Sequence, residues 1–188
     1  MKQSKKNQVL WITQTALFIA LLIVAQFITK SATQLVTGSV VNFLLVASTL
    51  TAGLYSGLTV AIVSPIFATL LGISGFWPLV PAIAVGNAVI VLVFSLFVGR
   101  AERLGGTKKY FLWLAAIALG AAAKFFALYL GVVKIIIPII SDTLNEKQIA
   151  NISAMFSLPQ LFTALIGGAI AMVVVPSIKA ALKKSKVS

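Results

Sequence analysis

The sequence contains no cysteine and no histidine, and only three of its 188 residues are acidic. Without histidine or cysteine it cannot form a catalytic triad with a histidine base, and it lacks the ligands of most transition-metal sites. The acids Glu102, Asp142 and Glu146 are too few and too scattered for paired-carboxylate or magnesium-dependent chemistry. The pattern GxxxxGK[ST] is also absent, so the chain has no P-loop for hydrolysing ATP. We therefore predict that the protein is not an enzyme and uses no cofactor.

Charged residues of either sign are scarce. Only 10% of the residues are charged and 60% are hydrophobic, whereas soluble domains carry roughly a quarter charged residues. The net charge of +12 would suit a nucleic-acid partner, but the cations are grouped at the ends of apolar segments rather than along a polar surface. We therefore predict an all-α integral membrane protein whose partner is the lipid bilayer, with no nucleic acid bound.

Six apolar segments predict six transmembrane helices in a single compact bundle that forms one domain, 1–188. The first could be mistaken for a secretory signal, but it is long enough to span and has no clear cleavage site, so we interpret it as a retained helix. The second and third are short and form an antiparallel hairpin around a tight turn at Tyr55, Ser56 and Gly57. The predicted spans are 9–28, 39–54, 58–73, 79–98, 110–137 and 152–175.

The distribution of lysine and arginine predicts the orientation of the bundle. With six spans, eleven of the fifteen cations fall on one side, and the opposite loops receive only Lys30 and Lys147. Because cytoplasmic loops are enriched in cations, both termini are predicted to be cytoplasmic. The eleven cations are Lys2, Lys5, Lys6, Arg100, Arg103, Lys108, Lys109, Lys179, Lys183, Lys184 and Lys186.

Lys124 lies within the long apolar fifth segment, where a charged amine is expensive and typically functional. Counting from Tyr110 at the helical rise places Lys124 about 20 Å above the inner boundary. Asn87 lies about 12 Å below the outer boundary on the descending fourth helix, which is nearly the same height. We therefore predict that Lys124 and Asn87 share one pocket in the outer half of the membrane.

Four further side chains are candidates for this pocket or its entrance. The same counting places Asn42 and Gln160 in the outer half, Lys134 nearer the outer surface and Trp77 in an outer loop that could cap a ligand. Each has a plainer interpretation. The amides could simply join neighbouring helices, Lys134 could extend to the interface, and Trp77 could be an interfacial anchor.

No acid is placed at the depth of Lys124. An ammonium group in a low-dielectric environment needs an anion, and the chain does not supply one there. Backbone carbonyls could hold this lysine, its amine could stay neutral, or a substrate could bring the missing negative charge. We predict a small carboxylate or phosphate that enters from outside.

Several sequence features resemble one family of membrane proteins, and this resemblance extends over essentially the whole chain. Ala16 and Ala20 lie four residues apart on one face of the first helix, which permits close approach of another helix. With the size and the six spans, this AxxxA pair resembles the S-components of energy-coupling factor (ECF) vitamin transporters. Within that family the chain resembles the pantothenate-type branch. The residues that carry this resemblance are Gly38-Ser39-Val40-Val41-Asn42, Gly53, Gly57, Pro65, Leu71-Gly72, Leu79-Val80-Pro81 and Gly86-Asn87.

The resemblance implies a substrate-binding subunit of an ECF-type ABC importer in the bacterial plasma membrane. Such a subunit captures a vitamin outside, docks through its first helices on a transmembrane coupling protein with two ATPase subunits, and topples to release the vitamin inside. Ala16 and Ala20 would contribute to docking, and the substrate site would lie on the later helices. Pantothenate, a small carboxylate, fits Lys124 best, with cobalamin, folate or riboflavin as alternatives. A solitary permease without a motor and an assembly factor without a ligand also remain open.

Overall fold

The computed structural model describes residues 2–73, 76–104 and 106–184. Lys186, one of the cations used to predict the orientation, lies outside these residues. Within the described ranges the chain is helical and contains no strand, which confirms the all-α prediction.

Within residues 2–73, 76–104 and 106–184, eight α-helices follow one another. They are α1 (Lys2–Thr29), α2 (Gln34–Ala52), α3 (Leu54–Leu70), α4 (Val80–Leu104), α5 (Gly106–Leu128), α6 (Ile137–Ile140), α7 (Glu146–Met155) and α8 (Leu158–Lys184). A 3₁₀ turn, Trp77–Leu79, leads into α4, and another, Ser141–Thr143, follows α6. A π-helix, Tyr129–Ile136, joins α5 to α6.

In the part of the chain that the structure describes, five helical segments are long and apolar enough to cross a membrane, as expected for a multi-pass membrane protein. They are Gln8–Thr29, Gln34–Ala52, Trp77–Leu104, Gly106–Thr143 and Glu146–Lys183. The remaining predicted span corresponds to α3, which has 17 residues and is shorter than the roughly 20 residues that a perpendicular span requires.

The main core lies where α2, α4, α5 and α8 meet. Phe94 of α4 is fully buried and contacts Trp113 of α5 edge to face, with ring centroids 6.4 Å apart. A smaller core at the other end joins Leu79, Leu128 and Phe156. The first helix is peripheral. In its most apolar stretch of 18 residues 17% of the residues are buried, whereas 50% are buried in the corresponding stretch of α2. Leu22 of α1 is fully buried in the main core, and Phe18 and Ile19 pack against that core half-buried.

The turn between α2 and α3 differs from the predicted position. A single residue, Gly53, connects the two helices with φ +99°, a conformation that side chains with a Cβ atom rarely adopt. Ser56 and Gly57 instead lie inside α3 and are buried. Gly57 packs directly against the side chain of Thr49, so the closeness of the two helices, rather than the turn, requires glycine there.

The last predicted span, 152–175, contains a break that the sequence analysis missed. Helix α7 ends at Met155 and α8 begins at Leu158, so the polypeptide changes helix inside the predicted span. Pro159 explains the break, because its ring has no N–H and would clash with the Met155 carbonyl in a continuous helix. At this break Phe156 packs in the smaller core with Leu128, the last residue of α5.

Candidate functional site

A cavity of ≈ 90 Å³ lies between the helices on the side of the smaller core. Helices α1 to α5, α7 and α8 all contribute to its wall. Its apolar wall includes Ile73, Met155 and Phe156, which also line a second recess of ≈ 290 Å³ with Phe76 and Leu79. The polar side chains of the first cavity are Gln26, Gln34, Thr37, Asn42, Ser64, Asn87, Lys124 and Gln160.

Lys124 is 3% exposed and forms the centre of this polar group. Its Nζ donates to Asn42 Oδ1 at 2.6 Å and to Asn87 Oδ1 at 2.7 Å. An ammonium group has three N–H donors, so one is left without a partner among the described residues. The structure thus brings together three side chains from α2, α4 and α5 that the sequence analysis assigned to one pocket.

The two asparagines are oriented by hydrogen bonds on their other side. Asn42 Nδ2 donates to Thr163 Oγ1 at 3.2 Å, and Asn87 Nδ2 donates to the carbonyl of Ala61 at 3.4 Å. Because the amide nitrogens are engaged in this way, the amide oxygens face the lysine. They therefore stabilise a positive charge without neutralising it.

None of the three acids forms an ion pair with Lys124. Glu102 pairs with Lys179, far from the cavity along the helices. Asp142 and Glu146 are exposed and belong to the segment around the start of α7. Among the described residues, no carboxylate therefore pairs with Lys124.

Gln160 lies on the same cavity, but its amide nitrogen has a structural partner. Gln160 Nε2 donates to the Met155 carbonyl at 3.0 Å. This carbonyl is the one that Pro159 cannot accommodate in a continuous helix, so Gln160 closes the break between α7 and α8. The plainer interpretation of Gln160, a contact between helices, is therefore present alongside its position on the cavity wall.

Trp77 and Lys134 do not line the cavity. Trp77 is 55% exposed at the start of the 3₁₀ turn, and its neighbour Phe76 lines the second recess instead. Lys134 is exposed on the π-helix, with its Nζ 5.5 Å from the centre of the Tyr129 ring. That distance is typical of a cation–π contact at an accessible site. Among the described residues, Phe156 is the one aromatic residue that lines the cavity, and the sequence did not indicate it.

Ala16 and Ala20 are both exposed on α1. Neighbouring Thr15, about 100° around the helix from Ala16, is buried and donates to Ser56 Oγ at 3.0 Å, which fixes that side of the helix against α3. The two alanines therefore form a small-residue surface that the bundle itself does not use. Gly57 of α3 is buried against α2 and is not part of that surface.

Comparison with known proteins yields no match to a protein-family model, a curated protein or a solved structure. The cavity is therefore the main guide to function. Among the described residues no group of histidine, cysteine or acidic side chains could hold a metal ion. A buried ammonium with one free N–H is instead suited to binding an anion.

Proposed function

We propose that the protein is the substrate-binding S-component of an ECF-type ABC importer, with a small anionic vitamin as its substrate. The observation that carries this proposal is the position of Lys124, which is buried and held by two neutral oxygens, with one free N–H on a cavity. An intramembrane charge without an internal counter-ion is expensive and is characteristic of a substrate site. The carboxylate of the substrate supplies the missing charge.

The proposal includes six spans with both termini in the cytoplasm of a bacterial cell, α3 being a short span. Two contacts between helix ends support this topology. Lys30 Nζ, just after α1, donates to the carbonyl of Leu71 at the end of α3. Glu102 near the end of α4 pairs with Lys179 near the end of α8. Alternating up and down helices bring these ends together in pairs, and the cation-rich end is the one with Lys179.

Pantothenate is the best-fitting substrate within the vitamins considered. It is small, carries one carboxylate, and presents hydroxyl and amide groups to a polar cavity. The cavity of ≈ 90 Å³ is below the roughly 300–1,000 Å³ of ordinary small-molecule sites, which disfavours folate and cobalamin most strongly. Met155 and Phe156 form a wall shared by the cavity and the second recess. Movement of this wall would join the two spaces and admit the vitamin from outside.

Transport by this chain requires partners, because it contains no P-loop. A transmembrane coupling protein and two ATPase subunits would supply the energy. The exposed pair Ala16 and Ala20 supports docking through α1, since small residues allow close packing of transmembrane helices.

Binding of a vitamin panel to the purified protein tests the proposed function. Pantothenate should bind, and Lys124→Ala should weaken it roughly 10- to 100-fold, because a hydrogen bond to a charged group contributes about 1.5–3 kcal/mol. Lys147→Ala is the matched control, since Lys147 is exposed on α7 and lines neither cavity. Equal affinities in wild type and Lys124→Ala would contradict the proposal.

A further inference from the structure

Helix α1 contributes one buried amide, that of Gln26, to the cavity, whereas its exposed alanines lie away from the cavity. Gln26 is 4% exposed and lines the cavity that contains Lys124. Its Nε2 donates to Ser64 Oγ of α3 at 3.3 Å, a long hydrogen bond. Its Oε1 is buried and has no hydrogen-bond partner among the described residues.

This unpaired oxygen distinguishes Gln26 from the other buried amides of the site. Asn42 and Asn87 use both ends of their amides, accepting from Lys124 and donating to Thr163 or Ala61. Buried acceptors are almost always paired in folded proteins, because leaving one unpaired loses its interaction with water. In the part of the chain that the structure describes, Gln26 Oε1 is the one buried side-chain oxygen or nitrogen without a partner.

Packing alone does not account for a glutamine at this position. The bond to Ser64 engages only one end of the amide, and apolar side chains of similar volume would fill the same space without an unpaired oxygen. The two neighbours that follow, Phe27 and Ile28, are exposed apolar residues, so the polarity of Gln26 is specific to the face that meets the cavity.

The cavity has two hydrogen-bonding groups without a partner among the described residues, and one is a donor while the other is an acceptor. Lys124 offers one N–H donor with a positive charge, and Gln26 offers one neutral acceptor. We propose that Gln26 is a second contact for the substrate, accepting a hydrogen bond from a hydroxyl or amide N–H of the molecule whose anionic group binds Lys124. This inference rests on the proposed function and narrows the substrate class to anions that also carry a neutral donor.

The assignment gives α1 a role in substrate recognition as well as in docking. Gln26 lies ten residues beyond Ala16, about 15 Å along the same helix. A substrate bound to both Lys124 and Gln26 connects α5 to α1, a helix that is otherwise peripheral to the bundle.

The test uses the full-length protein with Gln26→Met and Ser64→Ala combined. Replacing both hydrogen-bonding partners by apolar groups leaves neither buried and unpaired, so the melting temperature without ligand should equal or exceed that of wild type. Calorimetric titration with pantothenate should show affinity about 5- to 20-fold weaker than wild type. Hexanoate, a carboxylate without a neutral donor, should compete equally weakly for both proteins.

Gln14→Met is the matched control, because Gln14 lies on α1 but lines a different recess near Thr51 and Lys183. It should leave pantothenate affinity unchanged. Pantothenate binding that depends on Lys124 but not on Gln26 would overturn this inference and leave the proposed function standing. A melting temperature more than about 5 °C below wild type would identify Gln26 as a structural residue and also overturn it. Pantothenate binding that does not depend on Lys124 would overturn both proposals.

Discussion

Lys124 Nζ of α5 lies 2.7 Å from Asn87 Oδ1 of α4, and both side chains are almost completely buried. The oxygen belongs to an amide and not to a carboxylate, so the contact holds the ammonium in place and leaves its charge available. A second amide oxygen, from Asn42, lies on the lysine at 2.6 Å. An aspartate in place of either asparagine would form an internal ion pair with Lys124. The two neutral amide oxygens form no such ion pair.

Asn87→Asp should therefore abolish anion binding while preserving the fold. The new carboxylate would occupy the position of the amide oxygen and neutralise Lys124, so a substrate carboxylate would find no unmatched charge. We expect at least a 10-fold loss of pantothenate affinity in calorimetric titration. The melting temperature should change little, because the lost hydrogen bond from Asn87 Nδ2 to the Ala61 carbonyl offsets the new ion pair. Asn87→Asp that binds pantothenate as tightly as wild type would show that the charge of Lys124 does not attract the substrate.

The pairing of Lys124 with Asn87 could be predicted from the sequence because helices have a fixed rise and the membrane has a fixed thickness. Counting residues from segment ends gives the height of each side chain, and the structure places the two in contact. Height says nothing about which way a side chain faces, however. Gln26 escaped notice because its direction depends on the rotation of α1 against α3, which residue counting does not determine.

The features that the sequence analysis missed depend on local backbone geometry. The break between α7 and α8 lies within a continuous apolar stretch, so hydropathy runs through it and only Pro159 marks it. The predicted turn begins two residues after Gly53, the observed connection, because Tyr55, Ser56 and Gly57 have the composition of a turn. Tertiary contact with Thr49 is what makes Gly57 necessary, and no local pattern reveals that contact.

Gly167→Ala should disturb the site through helix packing. A Cβ atom at Gly167 of α8 would lie 2.6 Å from Asn42 Cβ and 2.7 Å from the Ser39 carbonyl, and the backbone atom cannot move without shifting α2. Separation of α2 from α8 would draw Asn42 away from Lys124. We expect a loss of stability of about 1–3 kcal/mol and weaker pantothenate binding, measured by thermal unfolding and calorimetry.

Gly99→Ala is the control for this substitution. Gly99 lies within α4, and a Cβ atom there would meet nothing within 4 Å. Alanine is favoured over glycine inside helices by up to about 1 kcal/mol, so this variant should be as stable as wild type or slightly more so. Equal melting temperatures for the Gly167 and Gly99 variants would contradict the close packing of α2 and α8.

Gly53→Ala should destabilise the protein for a reason that does not involve packing. A Cβ atom at Gly53 has open space around it, but the residue adopts φ +99°, which alanine disfavours. We expect a cost of about 1–3 kcal/mol in thermal unfolding and unchanged pantothenate affinity in the fraction that remains folded. An unaffected melting temperature would indicate that the connection between α2 and α3 has another conformation.

Replacement of Ala16 and Ala20 by tryptophan should separate docking from substrate binding. Both alanines are exposed and neither lines the cavity, so the isolated double variant should bind pantothenate and unfold like wild type. On a surface that packs closely against another helix, two indole rings would prevent contact, and co-purification of the two ATPase subunits should be lost. Leu21→Trp is the matched control, since Leu21 is also exposed on α1 but lies about 100° around the helix from Ala20 and about 140° from Ala16. Retention of the ATPases by the double variant would refute docking through this face.

Pantothenate uptake in cells that lack those ATPases would favour a solitary permease. The chain contains no P-loop, so without the ATPases its transport could not be driven by ATP.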